Sequence, residues 1–120
     1  MKKRYFFEFE KADFSQYGKP AGTGCDRLIL LKKPASCEII LIECKSGRLS
    51  ISDYERGKRQ LEDSIDSIFK MFGENPDLAV ICYDKMDPYV TQLLRGPKLR
   101  LKYQVNFIFK KRNDQYCKGC

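Results

Sequence analysis

Two carboxylates and an ammonium group stand in this chain where backbone geometry can bring them together. In "CEIILIECKSG", residues 37–47, the apolar run Ile39 to Ile42 leads straight into Glu43, and Lys45 follows two positions later. Side chains alternate along a strand, so Glu43 and Lys45 share the face of Ile39 and Leu41, while Ile42 and Cys44 take the other. Asp26 precedes a second apolar run, Leu28 to Leu31, and the turn signal "KKPAS" between the runs makes them an antiparallel pair, with strands near 26–32 and 37–45. A hairpin sets the start of its first strand beside the end of its second, which makes Asp26 and Glu43 neighbours. Crowded carboxylates repel, and a shared proton or a bound divalent cation relieves the repulsion. Magnesium, with manganese as a substitute, suits such an oxygen-rich setting. Held by Asp26 and Glu43, the cation can polarise a phosphoryl oxygen and acidify a water, with Lys45 positioning that water or stabilising the developing charge.

The composition removes much competing chemistry. The 120 residues contain no histidine, which excludes histidine acid-base catalysis, Cys-His and Ser-His nucleophile pairs and every zinc site that needs imidazole. Of the six cysteines, Cys37, Cys44 and Cys82 sit in or beside strand-like apolar runs and read as small buried hydrophobes. Cys117 and Cys120 form a single C-x-x-C, "YCKGC", which is half of a zinc knuckle or a disulfide or redox pair. Zinc there would need two further thiolates, from elsewhere in the chain or from a second subunit, and the sequence weighs against it. A net charge of +7, from 23 basic and 16 acidic residues, points to a polyanionic partner or simply to solubility.

One alternating α/β pattern must position these residues, on a length typical of a single domain. Residues 4–11 alternate like a strand at Tyr5, Phe7 and Phe9, although Phe6 and Phe9 would also share a helical face. "YGKPAGTG" is a loop. A helix follows the second strand, with Ser52 and Glu55 as a capping box and Gly73 as its stop. Its apolar face is Tyr54, Leu61, Ile65, Ile68 and Phe72, beside a stripe of small and polar residues, Gly57, Gln60 and Ser64. Leu78 to Tyr83 reads as a buried strand. Asp87 and Pro88 open a short helix to about Arg95, closed by Gly96. Strict alternation from Leu99 to Phe109 predicts a last strand, with Leu101, Tyr103, Val105 and Phe107 on one side and Lys98, Arg100 and Lys102 on the other. The basic row is either phosphate contact or protection of a sheet edge. Together these elements predict a mixed sheet of about four or five strands covered by helices.

An Asp followed 17 residues later by Glu-x-Lys at a strand end resembles the PD-(D/E)XK nuclease superfamily. The archaeal Holliday-junction resolvases look nearest, through "GKPAGTGCD", "LIECKSG" and "KRQL", over roughly residues 18–85. The resemblance implies a restriction-endonuclease-like fold and magnesium-dependent hydrolysis of DNA, on branched substrates in the resolvases. It implies catalytic roles for Asp26, Glu43, Lys45 and Gln60, the first two as metal ligands and Gln60 as the glutamine that the next helix turns toward the site. Resolvases add a Glu from an N-terminal helix, for which Glu8 and Glu10 are both at a suitable distance. Cys25 replaces the superfamily's proline without removing a ligand. Members with an iron-sulfur cluster use one upstream and three C-terminal cysteines, and this chain has two at its C-terminus, so no cluster is expected.

Two other readings stay open, a DNA-binding module that has lost catalysis and a metal or redox protein centred on Cys117 and Cys120. DNA is the expected partner, and a two-fold dimer is the simplest way to cut two strands. No apolar run reaches the ~18 residues of a membrane span, and Glu8, Glu10 and Asp13 interrupt the aromatic N-terminus before a signal segment can form. The expected location is therefore the cytoplasm.

Overall fold

The computed structural model describes residues 3–32, 34–95 and 101–120. Its strands and α-helices are β1 (Lys3–Phe7), β2 (Arg27–Lys32), β3 (Cys37–Cys44), β4 (Arg48–Leu49), α1 (Ile51–Phe72), β5 (Leu78–Tyr83), β6 (Lys85–Met86), α2 (Pro88–Leu94) and β7 (Asn106–Lys111). Five strands form a mixed sheet in the order β1-β2-β3-β5-β7, and β4 and β6 make a short parallel pair. β2 runs antiparallel to β1 and β3, whereas β5 runs parallel to β3 and β7. β3 and β5 lie inside the sheet with both faces covered, which is why they read as continuous apolar runs rather than alternating ones.

The parallel pairing of β3 with β5 needs a crossover, and α1 supplies it. Leu61, Ile65 and Ile68 of α1 are fully buried against the sheet face that carries Ile39, Leu41, Ala79 and Ile81. The opposite face, with Ile29, Ile40, Ile42, Val80 and Cys82, packs against Tyr116, Cys117 and Cys120 near the C-terminus. Tyr54 of α1 stacks on Phe109, 5.8 Å between ring centroids, which ties the start of the helix to β7.

Three expectations are corrected. The capping box of α1 is Ser50 with Asp53, two residues before the expected Ser52 with Glu55. Both pairs fit the same pattern, and burial of Leu49 in β4 sets the entry of the chain. Phe72 is 60% exposed rather than part of the buried stripe, because the helix ends there and Gly73 turns the chain away at φ 70°. The last strand begins at Asn106, not near Leu99. Tyr103 and Gln104 adopt positive φ, 56° and 62°, in a 3-10 turn over Lys102–Gln104 that a strand cannot accommodate. Tyr103, 55% exposed, stacks on Phe69 instead of joining the sheet. Lys98, Arg100 and the helix stop at Gly96 lie outside the described residues, and Lys102 belongs to that turn. The ambiguous N-terminal segment divides into β1 and a 3-10 turn at Phe9–Lys11. Among the described residues no helix is long and apolar enough to cross a membrane.

Candidate active site

The hairpin of β2 and β3 fixes the centre of the site. Arg27 pairs with Ile42, so Asp26 and Glu43 are the next positions along the ladder. The backbone N–H of Asp26 donates to Glu43 Oε1 at 3.1 Å, and the N–H of Cys44 donates to Asp26 Oδ2 at 2.7 Å. Each carboxylate is thus held by the other residue's strand, and the two functional groups are brought together at the strand ends. Lys45 lies on the same side, its Nζ 3.4 Å from Glu43 Oε2 and 3.4 Å from Gln60 Oε1. Asp26, Glu43, Lys45 and Gln60 therefore form one connected cluster.

The helix can come this close because its facing residues are small. A Cβ on Gly57 would stand 3.1 Å from Ile81 Cδ1, 3.4 Å from Lys45 Cε and 3.6 Å from Glu43 Cγ. Two turns on, Ser64 Oγ accepts from the N–H of Cys25 at 2.7 Å and donates to the Gln60 carbonyl at 2.8 Å, pinning the residue before Asp26 to the helix. Gly24 completes the approach at φ 84°, where a Cβ would meet Ser64 Oγ at 2.9 Å.

Between the two candidate N-terminal carboxylates the geometry favours Glu10. Its backbone N–H donates to the Asp26 carbonyl at 3.5 Å and it lines the same cleft as Asp26, and hydrogen bonding to Asp26, followed by burial and the Asp26 charge, raises its pKa above the usual carboxylate value. Glu8 is exposed and pairs with Lys11 at 3.2 Å. Glu10 stands on the 3-10 turn rather than on a helix. Lys19 supports this segment and was not singled out from sequence. Its side chain is 2% exposed, donates to the Ala12 carbonyl at 2.9 Å and lies 4.4 Å from the Phe9 ring centroid. A lysine in a glycine-rich loop carries no local signal of burial.

Electrostatics mark Glu43 as the most perturbed carboxyl of the cluster. It is 1% exposed, and burial first, then its hydrogen bond with Asp26 and the Asp26 charge, push its pKa up to about 8, with Lys45 opposing. The folded chain therefore holds a proton that the unfolded chain has released at any pH between the ordinary 4.5 and about 8. Folding is favoured on the acid side of that window, and stability is lost as pH rises through it, with a slope of at most ~1.4 kcal/mol per pH unit for one proton. In chelator, urea unfolding should show stability falling from pH 5 to pH 8 in the parent and a much flatter profile in Glu43→Gln. Parallel profiles would remove Glu43 as the titrating group.

An open cleft of about 320 Å³ adjoins the cluster and is lined by Glu8, Glu10, Lys11, Asp26, Arg27 and Gly119 among others. A wider apolar groove of about 560 Å³ lies elsewhere, among Phe7, Phe9, Phe14, Leu30, Met71 and Phe72. Among the described residues no three Asp, Glu or Cys side chains form a ready-made metal-ligand set. Asp26 and Glu43 supply two adjoining carboxyl groups which, once Glu43 has released its proton, form a donor set that fits magnesium, commonly bound through one or two carboxylates together with water and substrate phosphate.

The cysteines depart from expectation. Cys117 and Cys120 do not pair with each other. Cys44 bonds Cys120 and Cys82 bonds Cys117, with Cα separations of 5.4 and 5.7 Å. Cys44 and Cys82 are thus disulfide partners rather than simple buried hydrophobes. They face each other across β3 and β5, on the side over which the C-terminal turn folds. Cys37 is free and exposed rather than buried, and Cys25 is free and fully buried, its thiol pushed up to about 12 by burial. Compared with known proteins, the chain matches no family model, no curated protein and no solved structure.

Proposed function

We propose that this protein is a metal-dependent DNA endonuclease with a restriction-endonuclease-like fold, related to the PD-(D/E)XK superfamily and closest in pattern to the archaeal Holliday-junction resolvases. The observation that carries the reading is the clustering of Asp26, Glu43, Lys45 and Gln60, four residues drawn from two strands and a helix. An ordinary strand end has no need to bury a carboxylate to 1% exposure against a second one.

Asp26 and Glu43 would hold the cation, which when bound supplies Lewis-acid polarisation of a phosphoryl oxygen and makes a nearby water more acidic. Glu43 must give up its proton to serve as a ligand, so affinity for magnesium should rise with pH until about 8. Lys45 carries positive charge to the scissile phosphate and holds the attacking water. Gln60 accepts from the Lys45 ammonium and fixes its direction. Glu10, which lines the cleft beside Asp26, would add a third carboxyl to the site.

A symmetric pair of such sites would cut two strands. Tyr5 and Phe7, on one face of the edge strand β1 and 40% and 49% accessible, offer an apolar surface for pairing with a second copy. The site of action proposed is the cytoplasm.

The test of the substrate class is incubation with branched, duplex and single-stranded DNA in magnesium, manganese or chelator. Cutting in either metal and none in chelator supports the reading, whereas binding with no cutting of any form favours a module that has lost catalysis. Phosphate contact by the basic row has its own readout. Neutralising Lys98, Arg100 and Lys102 together should weaken DNA binding and make the slope of log K against log salt shallower by up to ~3 units. An unchanged slope would show that these three side chains make no phosphate contact.

A further inference from the structure

The four cysteines of the two disulfides belong to one small region on the sheet face opposite α1. Cys44 and Cys82 are register partners on adjacent parallel strands, and both side chains join the same apolar cluster. Cys117 and Cys120 are three residues apart in a tight turn, closed by donation from the Cys120 N–H to the Cys117 carbonyl at 3.1 Å. Gly119, at φ 85°, turns the second cysteine back toward the sheet, and a Cβ there would collide with the Arg27 guanidinium. The two further sulfurs that a C-x-x-C needs for a tetrahedral site therefore stand beside it, on β3 and β5 of the same chain, here joined to it as disulfides.

We propose that the reduced protein binds one zinc ion through Cys44, Cys82, Cys117 and Cys120. Tetrathiolate zinc has Zn–S bonds of about 2.3 Å, which sets its sulfurs about 3.8 Å apart. Side chains that can meet pairwise as disulfides, on neighbouring strands and one turn, need only small rotations to reach that spacing. Two negative charges would accumulate on the site, and two arginines bond the backbone of the turn that carries Cys120, Arg112 being also paired with Asp84 at 3.1 Å. Arg27 donates to the carbonyls of Lys118 and Gly119, and Arg112 Nη2 donates to the Cys120 carbonyl at 2.9 Å. The reducing interior proposed above for this protein would keep all four as thiols.

The conversion balances. A phosphine reductant and one water open each disulfide to two thiols, the phosphine leaving as its oxide. Zinc then displaces four thiol protons, which pass to the buffer.

Cobalt is the direct probe, because a tetrahedral cobalt-thiolate site shows intense charge-transfer and visible bands. The full chain, reduced by phosphine without oxygen, should develop these bands to one cobalt per chain, and an equimolar addition of zinc should bleach them. The Cys25→Ser, Cys37→Ser double variant should titrate identically, and Cys44→Ser and Cys82→Ser should each bind at least ~10-fold more weakly with altered bands. If reduction alone unfolds the chain, zinc should restore its far-ultraviolet circular dichroism. Absence of the bands with the fold retained, bands unaffected by Cys44→Ser and Cys82→Ser, or failure of zinc to restore a lost fold would each overturn the proposal. No DNA or magnesium enters the titration, so its failure leaves the nuclease reading standing.

Discussion

Asp26→Asn and Glu43→Gln are each expected to lower magnesium-dependent DNA cleavage by ~10³-fold or more, on the order of 4 kcal/mol of transition-state stabilisation, while leaving DNA binding intact. Both changes remove a charged ligand and keep the shape of the side chain. Affinity should be equal or higher, because a carboxylate that repels phosphate is gone. Without metal, each variant should be at least as stable as the parent, since burial of Glu43, reinforced by the Asp26 charge, makes its ionised form costly in the folded chain. That advantage should shrink when magnesium is added, because only the parent gains from binding it. Lys45→Ala should behave differently and lose cleavage and some affinity together. Cleavage at the parental rate by the Asp26 and Glu43 variants would return these charges to an ordinary strand end.

Stability should depend most strongly on the sulfur bonds. The disulfides close sequence separations of 76 and 35 residues and pin the C-terminal turn to the sheet face that α1 does not cover. Opening both, with no metal added, should cost roughly 2–4 kcal/mol for each bond, enough to lower the melting temperature by on the order of 10–30 °C. Cys117→Ser with Cys120→Ser should reproduce that loss in the oxidised protein. At temperatures where the double variant is folded, it should still cleave DNA with magnesium, because Asp26 and Glu43 offer oxygen ligands and no thiolate. A melting temperature indifferent to reduction would show that the C-terminal turn holds by packing alone. Loss of cleavage in the folded double variant would move the functional centre to the C-terminus.

The parts of this fold that were legible in the sequence are those fixed by local pattern. The runs at Leu28 to Leu31, Glu38 to Cys44 and Leu78 to Tyr83 are strands because each is a short apolar run bounded by turn residues. The antiparallel pairing of the first two was enough to place Asp26 beside Glu43, and alternation was enough to put Lys45 on the same face. The stripe of Gly57, Gln60 and Ser64 was visible as a surface for close approach, and each of the three now touches the strands, the site or its supporting loop.

What sequence reading missed depends on contacts far apart in the chain. Alternation from Leu99 onward looked like a continuous strand, but Tyr103 and Gln104 take positive φ in a turn and Tyr103 lies on the Phe69 ring, neither of which alternation of polarity encodes. The partners of Cys117 and Cys120 lie 35 and 76 residues away, a pairing that spacing alone cannot select. Glu10 and Glu8 were indistinguishable until the 3-10 turn directed one toward Asp26 and the other toward Lys11. Ser50 and Ser52 offered equal caps, and burial of Leu49 decided between them.

The central claim, that Asp26 and Glu43 hold a catalytic cation, is tested most directly by the single-turnover rate of DNA cleavage as magnesium is titrated at fixed pH, with the parent and Glu43→Gln side by side. The rate in the parent should rise from nothing in chelator to a plateau, and the half-saturating magnesium concentration should fall as pH approaches about 8, where Glu43 releases its proton. Glu43→Gln should stay near the chelator baseline throughout. No cutting of any DNA form at saturating magnesium, or cutting that is unchanged by chelator or by Glu43→Gln, would contradict it.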